Sequence, residues 1–406
     1  MTPSALPEGD RVPVTGELPE ASRVEVSSRP LSIYVHVPFC ATRCGYCDFN
    51  TYTASELGPS RGASRASYVD AAVEELGLAC RVLGSNTPAV SSMFVGGGTP
   101  TLLPTEDLGR LVDVVNDRFG LTPDAEVTTE SNPESVDAAG LDRLVASGFN
   151  RISFGMQSAV PHVLAVLDRA HSPGRPQQAV AEAKAAGFTS TSLDLIYGTP
   201  GESLADWQSS LDAALAAEPD HVSAYALIIE EGTRLAARVR RGEVAMTDED
   251  DLADKYLLAE HALTAAGLEA YEVSNWARTP ADRCRHNLAY WRGDNWWGVG
   301  PGAHSHVGGT RWWNVKHPQS YAARLAEGAS PAHAREVLSA DDRRVERVLL
   351  ELRLSEGLEL GVLTPAEQRR VPAMVARELA EVRQERLVLT VPGRLLADGV
   401  VRDLLD

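Results

Sequence analysis

Six short apolar runs, spaced by amphipathic stretches between residues 31 and 227, limit this chain to an α/β architecture. Ile33–Val37, Met93–Val95, Glu126–Glu130, Ile152–Phe154, Leu193–Ile196 and Val222–Leu227 read as strands. Between the first two, Tyr68, Val69, Ala72, Leu76, Ala79 and Leu83 recur at helical spacing. Leu108, Leu111, Val112 and Val115 do so in the next interval, and Leu141, Leu144 and Val145 in the one after. Further helices are expected over 178–186 and 204–217. Thr105 is expected to cap the helix that carries Glu106 and Asp107 in its first turn. Gly148 and Gly187 are expected to stop helices. Strands that alternate with helices pair in parallel, because a parallel pair needs a crossover connection. Six such units fit an open (β/α)6 barrel and a doubly wound sheet equally well.

The flanks differ from this repeat. Residues 1–30 are rich in Pro, Ser and Glu without apolar periodicity, and read as a disordered leader. The alternation spans 31–236. Residues 237–330 open with a helix over 252–263 and then become rich in Trp, Gly, His and Asn; six of the 7 tryptophans lie from Trp276 to Trp313, so this is a distinct extension. Residues 331–406 read as a small α+β domain. Helices are expected around Val345–Leu352 and Met374–Val382. A hairpin of Leu387–Val391 and Arg394–Val400 is expected to turn at Pro392-Gly393, before a final helix at Val401–Leu405.

Composition removes several function classes. A net charge of −18 argues against broad nucleic-acid binding, which needs a basic footprint. No run of 18 apolar residues is present to span a bilayer, and the N-terminus lacks the basic and apolar regions of a secretory signal. Cysteines number 5, an odd count with three clustered, which is not a disulfide framework. A reducing cytoplasm is expected.

That cluster is Cys40-Ala-Thr-Arg-Cys44-Gly-Tyr-Cys47. Three thiolates can hold three irons of a [4Fe–4S] cluster and leave the fourth iron open. A structural zinc ion would want a fourth protein ligand. Asp48 and Phe49 follow, and His36 lies upstream in a strand-like run, so none is obvious. Incidental buried thiols are the plainest alternative.

Polar residues gather at the strand ends, where open α/β folds collect ligands. Gly96-Gly-Gly-Thr-Pro100 follows the second strand, and such a turn lets backbone approach a ligand closely. Glu130 ends the third strand, Gln157 follows the fourth, and Arg169 precedes Ala170-His171. Asp194 lies inside the apolar fifth strand, where a carboxylate is costly unless paired. Each residue alone serves equally well as a cap or ion pair.

The Trp-rich extension holds Arg285-His286-Asn287-Leu-Ala-Tyr290-Trp291 and Gly298-Val-Gly-Pro-Gly-Ala-His304. A neutral imidazole such as His286 is a good axial ligand for heme iron, and Tyr and Trp offer flat faces to a porphyrin. The same residues can instead fasten the segment over the barrel mouth through buried hydrogen bonds. Cys284 is a rival ligand; His304 and His306 are further candidates, assigned first to the loop's own structure. No Cys-x-x-Cys-His occurs, which excludes covalent heme attachment.

The Cys-x3-Cys-x2-Cys spacing, with Tyr46 before the last cysteine, resembles the radical S-adenosylmethionine (SAM) superfamily. Ile33-Tyr-Val-His-Val-Pro-Phe-Cys40 through Cys47-Asp-Phe49 resembles its oxygen-independent coproporphyrinogen oxidase-like family, over residues 31–406. The resemblance implies a partial (β/α)6 barrel with a C-terminal winged-helix-like domain. It implies a [4Fe–4S] cluster on Cys40, Cys44 and Cys47, with SAM chelating the open iron through its amino and carboxylate groups. Tyr34, Gly97, Gly98, Thr99, Glu130, Gln157, Arg169 and Asp194 match the family's SAM-contacting positions. His-Asn-x-x-Tyr-Trp is a motif of the family's heme chaperones, where its histidine, here His286, is associated with heme. Decarboxylating members carry a fourth cysteine where this chain has Phe49. The implied function is a heme chaperone that passes heme to an acceptor, a membrane-associated respiratory hemoprotein. The rivals are a coproporphyrinogen III dehydrogenase working by radical decarboxylation, and a radical SAM enzyme acting on RNA, which the charge disfavours.

Overall fold

A computed structural model of the chain describes residues 6–57, 64–169 and 171–406. The six expected strands form the centre of one sheet: β1 (Leu31–Val37), β2 (Val90–Gly97), β3 (Leu121–Ser131), β4 (Arg151–Gln157), β5 (Ser190–Tyr197) and β6 (His221–Ala226). They pair in parallel in that order. Period-2 alternation sorts each strand. On β1, Ile33, Val35 and Val37 are wholly buried beneath the outer helices, whereas Tyr34 faces the lumen. The helix Arg65–Leu83 presents Tyr68, Ala72, Leu76 and Ala79 to that outer face, all fully buried. Burying Leu76 alone contributes about 1.5–3 kcal/mol. Thr105 is the first residue of its helix rather than the cap: Pro104 precedes it, and no side chain bonds the free N–H groups there.

The Trp-rich extension covers both edges of this six-strand core. β7 (Glu269–Ala270) and β8 (Asn275–Ala277) add antiparallel to β6. β9 (Asn295–Val299) then adds parallel to β1, followed by β10 (His304–Val307), β11 (Thr310–Asn314) and β12 (Ala332–Val337), giving 12 strands. Between the two edges runs the helix Arg285–Trp291, laid against the concave face. The backbone N–H groups of Arg285 and His286 donate to Glu126 on β3, at 3.0 and 3.1 Å. Arg151, the first residue of β4, donates to the Asp282 carbonyl at 2.7 Å. The motif-bearing segment therefore closes the lumen from below; it does not cover the mouth.

The disordered leader expected for residues 1–30 is corrected by the structure from residue 6 onward; residues 1–5 lie outside the described part. Asp10 pairs antiparallel with Arg335 on β12, and Ser330 donates its N–H to the Val14 carbonyl at 2.7 Å. Leu18 and Val26 are buried, and a short helix spans Glu20–Val24. An open sheet edge offers unpaired backbone groups, and these polar residues satisfy them with main chain rather than side chains.

The C-terminal domain has its own core, including Val348, Leu352, Leu387, Val400 and Leu404. Its hairpin lies one strand earlier than expected. The helix over 374–382 stops at Ala376, and β14 (Ala380–Arg383) turns through Gln384 and Glu385 into β15 (Arg386–Leu389), beside β13 (Leu358–Glu359). Both turn residues have positive φ, 47° and 62°. Pro392-Gly393 instead opens the helix Val391–Leu395, where Thr390 accepts from the Gly393 N–H at 3.1 Å. The domain docks on the barrel through Arg394, which donates to Glu260 at 2.6 Å, and Glu260 also accepts from Trp276 Nε1 at 2.7 Å.

Candidate functional site

Cys40, Cys44 and Cys47 sit on the loop after β1, at the C-terminal ends of the strands. They line a cavity of about 1470 Å³ together with Gly97, Gly98, Thr99, Glu130, Gln157, Arg169 and Asp194. The loop is held by main chain. The Cys40 N–H donates to the Tyr52 carbonyl at 3.0 Å and the Gly45 N–H to the Leu167 carbonyl at 3.0 Å. Asn50 lashes it to the sheet extension, donating to the carbonyls of Pro301 (2.9 Å) and Lys316 (2.8 Å).

The thiols fit a cluster better than a single ion. Among the described residues, no three His, Cys, Asp or Glu side chains converge as one metal ion would require. A [4Fe–4S] cluster takes one thiolate per iron, so its ligands stand farther apart than those of a single ion. The zinc alternative therefore lacks both a fourth ligand and a common centre. Without metal, burial raises the pKa of Cys40 and pushes that of Cys47 up to about 11; a coordinated metal reverses that preference.

The glycine turn meets this loop closely. Gly98 donates to the Val37 carbonyl (2.8 Å) and Thr99 to the Phe39 carbonyl (2.7 Å). A Cβ on Gly98 would lie 2.3 Å from the Phe39 oxygen and 3.1 Å from Cys40 Sγ, so only glycine fits. Gly97, at φ 110°, donates its N–H to Glu130 Oε2 at 2.9 Å. Burial, with the Asp194 charge adding to it, pushes Glu130 up to about 8, and the Gly97 N–H offsets part of this. Burial raises Asp194 as well; Ser153 Oγ, 2.8 Å from both of its carboxylate oxygens, works against that. Gln157 ends β4 at φ 65°, a strained backbone for a residue with a side chain. Arg169 donates to the Gly155 carbonyl at 2.8 Å and points Nη1 at Cys44 Sγ, 3.6 Å away. Its Nε is buried without a partner among the described residues, so the guanidinium has capacity for an anionic group.

Two expected ligand residues lie elsewhere. Tyr34 and His286 line a separate lumen cavity of about 290 Å³, below the carboxylates, with Glu130, Ser153, Asp194 and Tyr225 walling both spaces. His286 is 2 % exposed, and burial drives its pKa down to about 3, so it is neutral. Both ring nitrogens are engaged, Nδ1 with Ser92 Oγ at 3.0 Å and Nε2 with the Tyr290 hydroxyl at 2.9 Å. The cavity falls below the roughly 300–1,000 Å³ of sites for drug-sized ligands, and a porphyrin is larger than most such ligands. His286 is held at the base of the barrel through both ring nitrogens. Cys284 is buried against Glu126 (3.6 Å) and is no better placed. Ser153 and Asn50 were not legible, because their partners are set by the fold and no motif marks either residue.

The sequence profile of the Radical SAM superfamily matches residues 34–214. Coproporphyrinogen III oxidase (HemN) from Escherichia coli, a radical SAM enzyme, shares the fold at a TM-score of 0.80, with 24% identity, over 94% of this chain and 92% of its own. Fold and site thus define a radical SAM protein. The heme chaperone HemW of Mycobacterium tuberculosis (strain H37Rv) is 55% identical over 377 residues, 93% of this chain and 95% of the relative. The Bacillus subtilis (strain 168) heme chaperone HemW is 30% identical over 378 residues, 91% and 97% of the two chains. The chain belongs to the HemW family. Radical SAM membership implies a [4Fe–4S] cluster and SAM.

Proposed function

We propose that this chain is a cytoplasmic heme chaperone that holds a [4Fe–4S] cluster and SAM, binds heme, and delivers it to an acceptor hemoprotein associated with the membrane. The observation that carries this is the mixed character of the mouth cavity. The cysteine trio and buried carboxylates share it with Phe49, Tyr225 and Ile228, which are 58%, 44% and 69% exposed. Exposed apolar side chains around a concave site mark a surface for an apolar partner, and a porphyrin face is one. Among the described residues no helix is long and apolar enough to cross a membrane, so heme would be carried to the membrane rather than within it.

In this reading Cys40, Cys44 and Cys47 hold the cluster, which when bound supplies an open iron for SAM. Arg169 receives the SAM carboxylate. Gly97, Gly98 and Thr99 offer backbone to the amino end, Glu130 and Asp194 face the ribose and the cationic part, and Gln157 closes the far wall. SAM carries a fixed sulfonium charge, so the ionised Glu130 binds it best. With a pKa of about 8, Glu130 must lose a proton on binding at lower pH. SAM affinity is expected to rise about tenfold per pH unit up to about 8 and then level off. Calorimetry in buffers of different ionisation heat reads the released proton. Glu130→Gln should abolish the pH dependence; a pH-independent wild type would contradict the assignment.

The direct test is an anaerobic heme titration of the cluster-loaded protein. Saturable one-to-one binding, followed by transfer to an apo-hemoprotein, is expected. Absence of specific heme binding, with harderoporphyrinogen formed from coproporphyrinogen and SAM under reduction, would replace the chaperone reading with the dehydrogenase one.

A further inference from the structure

His286 lines the lumen with both ring nitrogens bonded, and the space before it is smaller than a porphyrin needs. A heme iron meets this imidazole only after the helix Arg285–Trp291 leaves the strands, a step that rests on the heme-chaperone reading. The contacts that keep this helix in place therefore control access to the imidazole.

The two faces of the helix are held by different forces. On the inner face Glu126 accepts from the N–H groups of Arg285 and His286, and Asn287 donates to Glu272 at 2.8 Å. The outer face is held by the C-terminal domain. There the helix Ala340–Glu351 is followed by Leu354-Ser355-Glu356, and each of these three residues grips the motif segment or the turn before it. Leu354 is 2% exposed and packs with Tyr271, Ala277 and Leu288, and Trp291 lies against the same cluster. The Ser355 N–H donates to the Tyr271 carbonyl at 2.9 Å. Glu356 accepts from Arg292, the residue after the helix, at 3.1 and 3.2 Å.

This grip is built to let go. Leu354 takes no part in the domain's own core around Val348, Leu352 and Leu404, so undocking leaves that core intact. Trp291 Nε1 is buried without a partner among the described residues, a donor that the docked state leaves unsatisfied and water would satisfy. The Arg292–Glu356 pair is exposed on both sides, where an ion pair adds little. Gly293 follows the helix at φ 63° with open space around it, which suits a pivot.

We propose that the C-terminal domain is a clamp on the motif helix, with Leu354 as its plug, and that heme binds the state in which the clamp has opened. Arg394, on Glu260 of a different helix, keeps the domain tethered meanwhile. Heme shifts the population toward the open state because it has no room in the closed one. The clamp thus lowers the apparent heme affinity by the fraction of molecules that are open, and loosening it tightens binding. Reclosure competes with heme for the same helix, which favours release to an acceptor.

The test compares wild type and Leu354→Ala, as full cluster-loaded chains, by amide hydrogen exchange without heme and by heme titration. In Leu354→Ala the amides of Arg285–Trp291 are expected to exchange about tenfold or more faster, while β3, β4 and the domain core keep their protection. Heme is expected to bind about tenfold tighter to this variant, although the substitution lies on another domain. A helix that exchanges at the wild-type rate, exchange that rises equally in the barrel strands, or heme affinity that is unchanged or weaker would each overturn the clamp. Faster exchange confined to the helix, with no heme bound by either protein, would instead overturn the chaperone reading and leave the clamp standing. Should Leu354→Ala leave the C-terminal domain unfolded, Leu354→Val is read by the same criteria.

Discussion

Cys44→Ala is expected to abolish cluster loading while leaving the barrel folded. Iron and acid-labile sulfide should fall to background after anaerobic reconstitution, with loss of the broad visible absorbance of an iron–sulfur centre. The reason for so clean a loss is that the side chain and the loop are held by different forces. Main-chain bonds at Cys40, Gly45 and Cys47 fix the loop without the thiol. The Cys44 sulfur itself meets Arg169, at 3.6 Å. Two remaining thiolates leave two irons without a protein ligand, and no other cysteine lines the cavity: Cys80 lies on the helix Arg65–Leu83 and Cys284 in the base. Far-ultraviolet circular dichroism should match wild type. Retained iron and sulfide would sink the assignment of the trio.

Glu75→Ala is expected to destabilise the fold by about 4 kcal/mol, the sum of stranded donors and a cavity. Glu75 is wholly buried on the helix Arg65–Leu83 and accepts from the Tyr321 hydroxyl (2.5 Å), the Gly300 N–H (2.8 Å) and Asn314 Nδ2 (2.8 Å). It thereby pins the ends of β9 and β11 to the outer layer. Burial pushes its pKa up to about 7, against the pull of these donors. A folded pKa above the unfolded value means that the folded state holds the proton longer. Stability from this group is therefore greatest below about 4.5 and declines as pH rises through about 7. Glu75→Gln keeps an acceptor and cannot ionise. Denaturant melts at about pH 5 and about pH 8 should show wild type losing stability relative to Gln as pH rises. A parallel response in the two proteins would show that Glu75 is not the titrating group.

The parts of the fold legible in advance are those in which one residue pattern has one physical outcome. The six core strands follow from alternating or continuous apolar runs, and Gly187 stops its helix at positive φ, as expected. The C-terminal hairpin was misplaced because its turn uses Gln384 and Glu385 at positive φ, residues that do not advertise a turn, while Pro392-Gly393 advertises one and starts a helix. The N-terminal segment was unreadable because much of its attachment is backbone pairing, with Val12, Leu18 and Val26 as scattered apolar anchors. In the site, Glu130 and Asp194 stood out as carboxylates at or within strands, and they do share a cavity with the cysteines. His286 stood out by motif, yet whether its helix lay above or below the strand ends depended on the path from β8 to β9, which no local pattern encodes.

The same path shapes how the chain is made. β1 is complete when Val37 emerges from the ribosome, but its outer neighbour β9 begins only at Asn295. At translation speeds of about 5–20 residues per second, roughly 10–50 s separate the two. For that interval Leu31, Ile33 and Val35 sit on an open strand edge, competent to pair with any other nascent or unfolded chain. Overproduction without holdase capacity should therefore yield inclusion bodies seeded by this strand, and slower growth at low temperature need not cure it, since the gap between the partners lengthens with translation time.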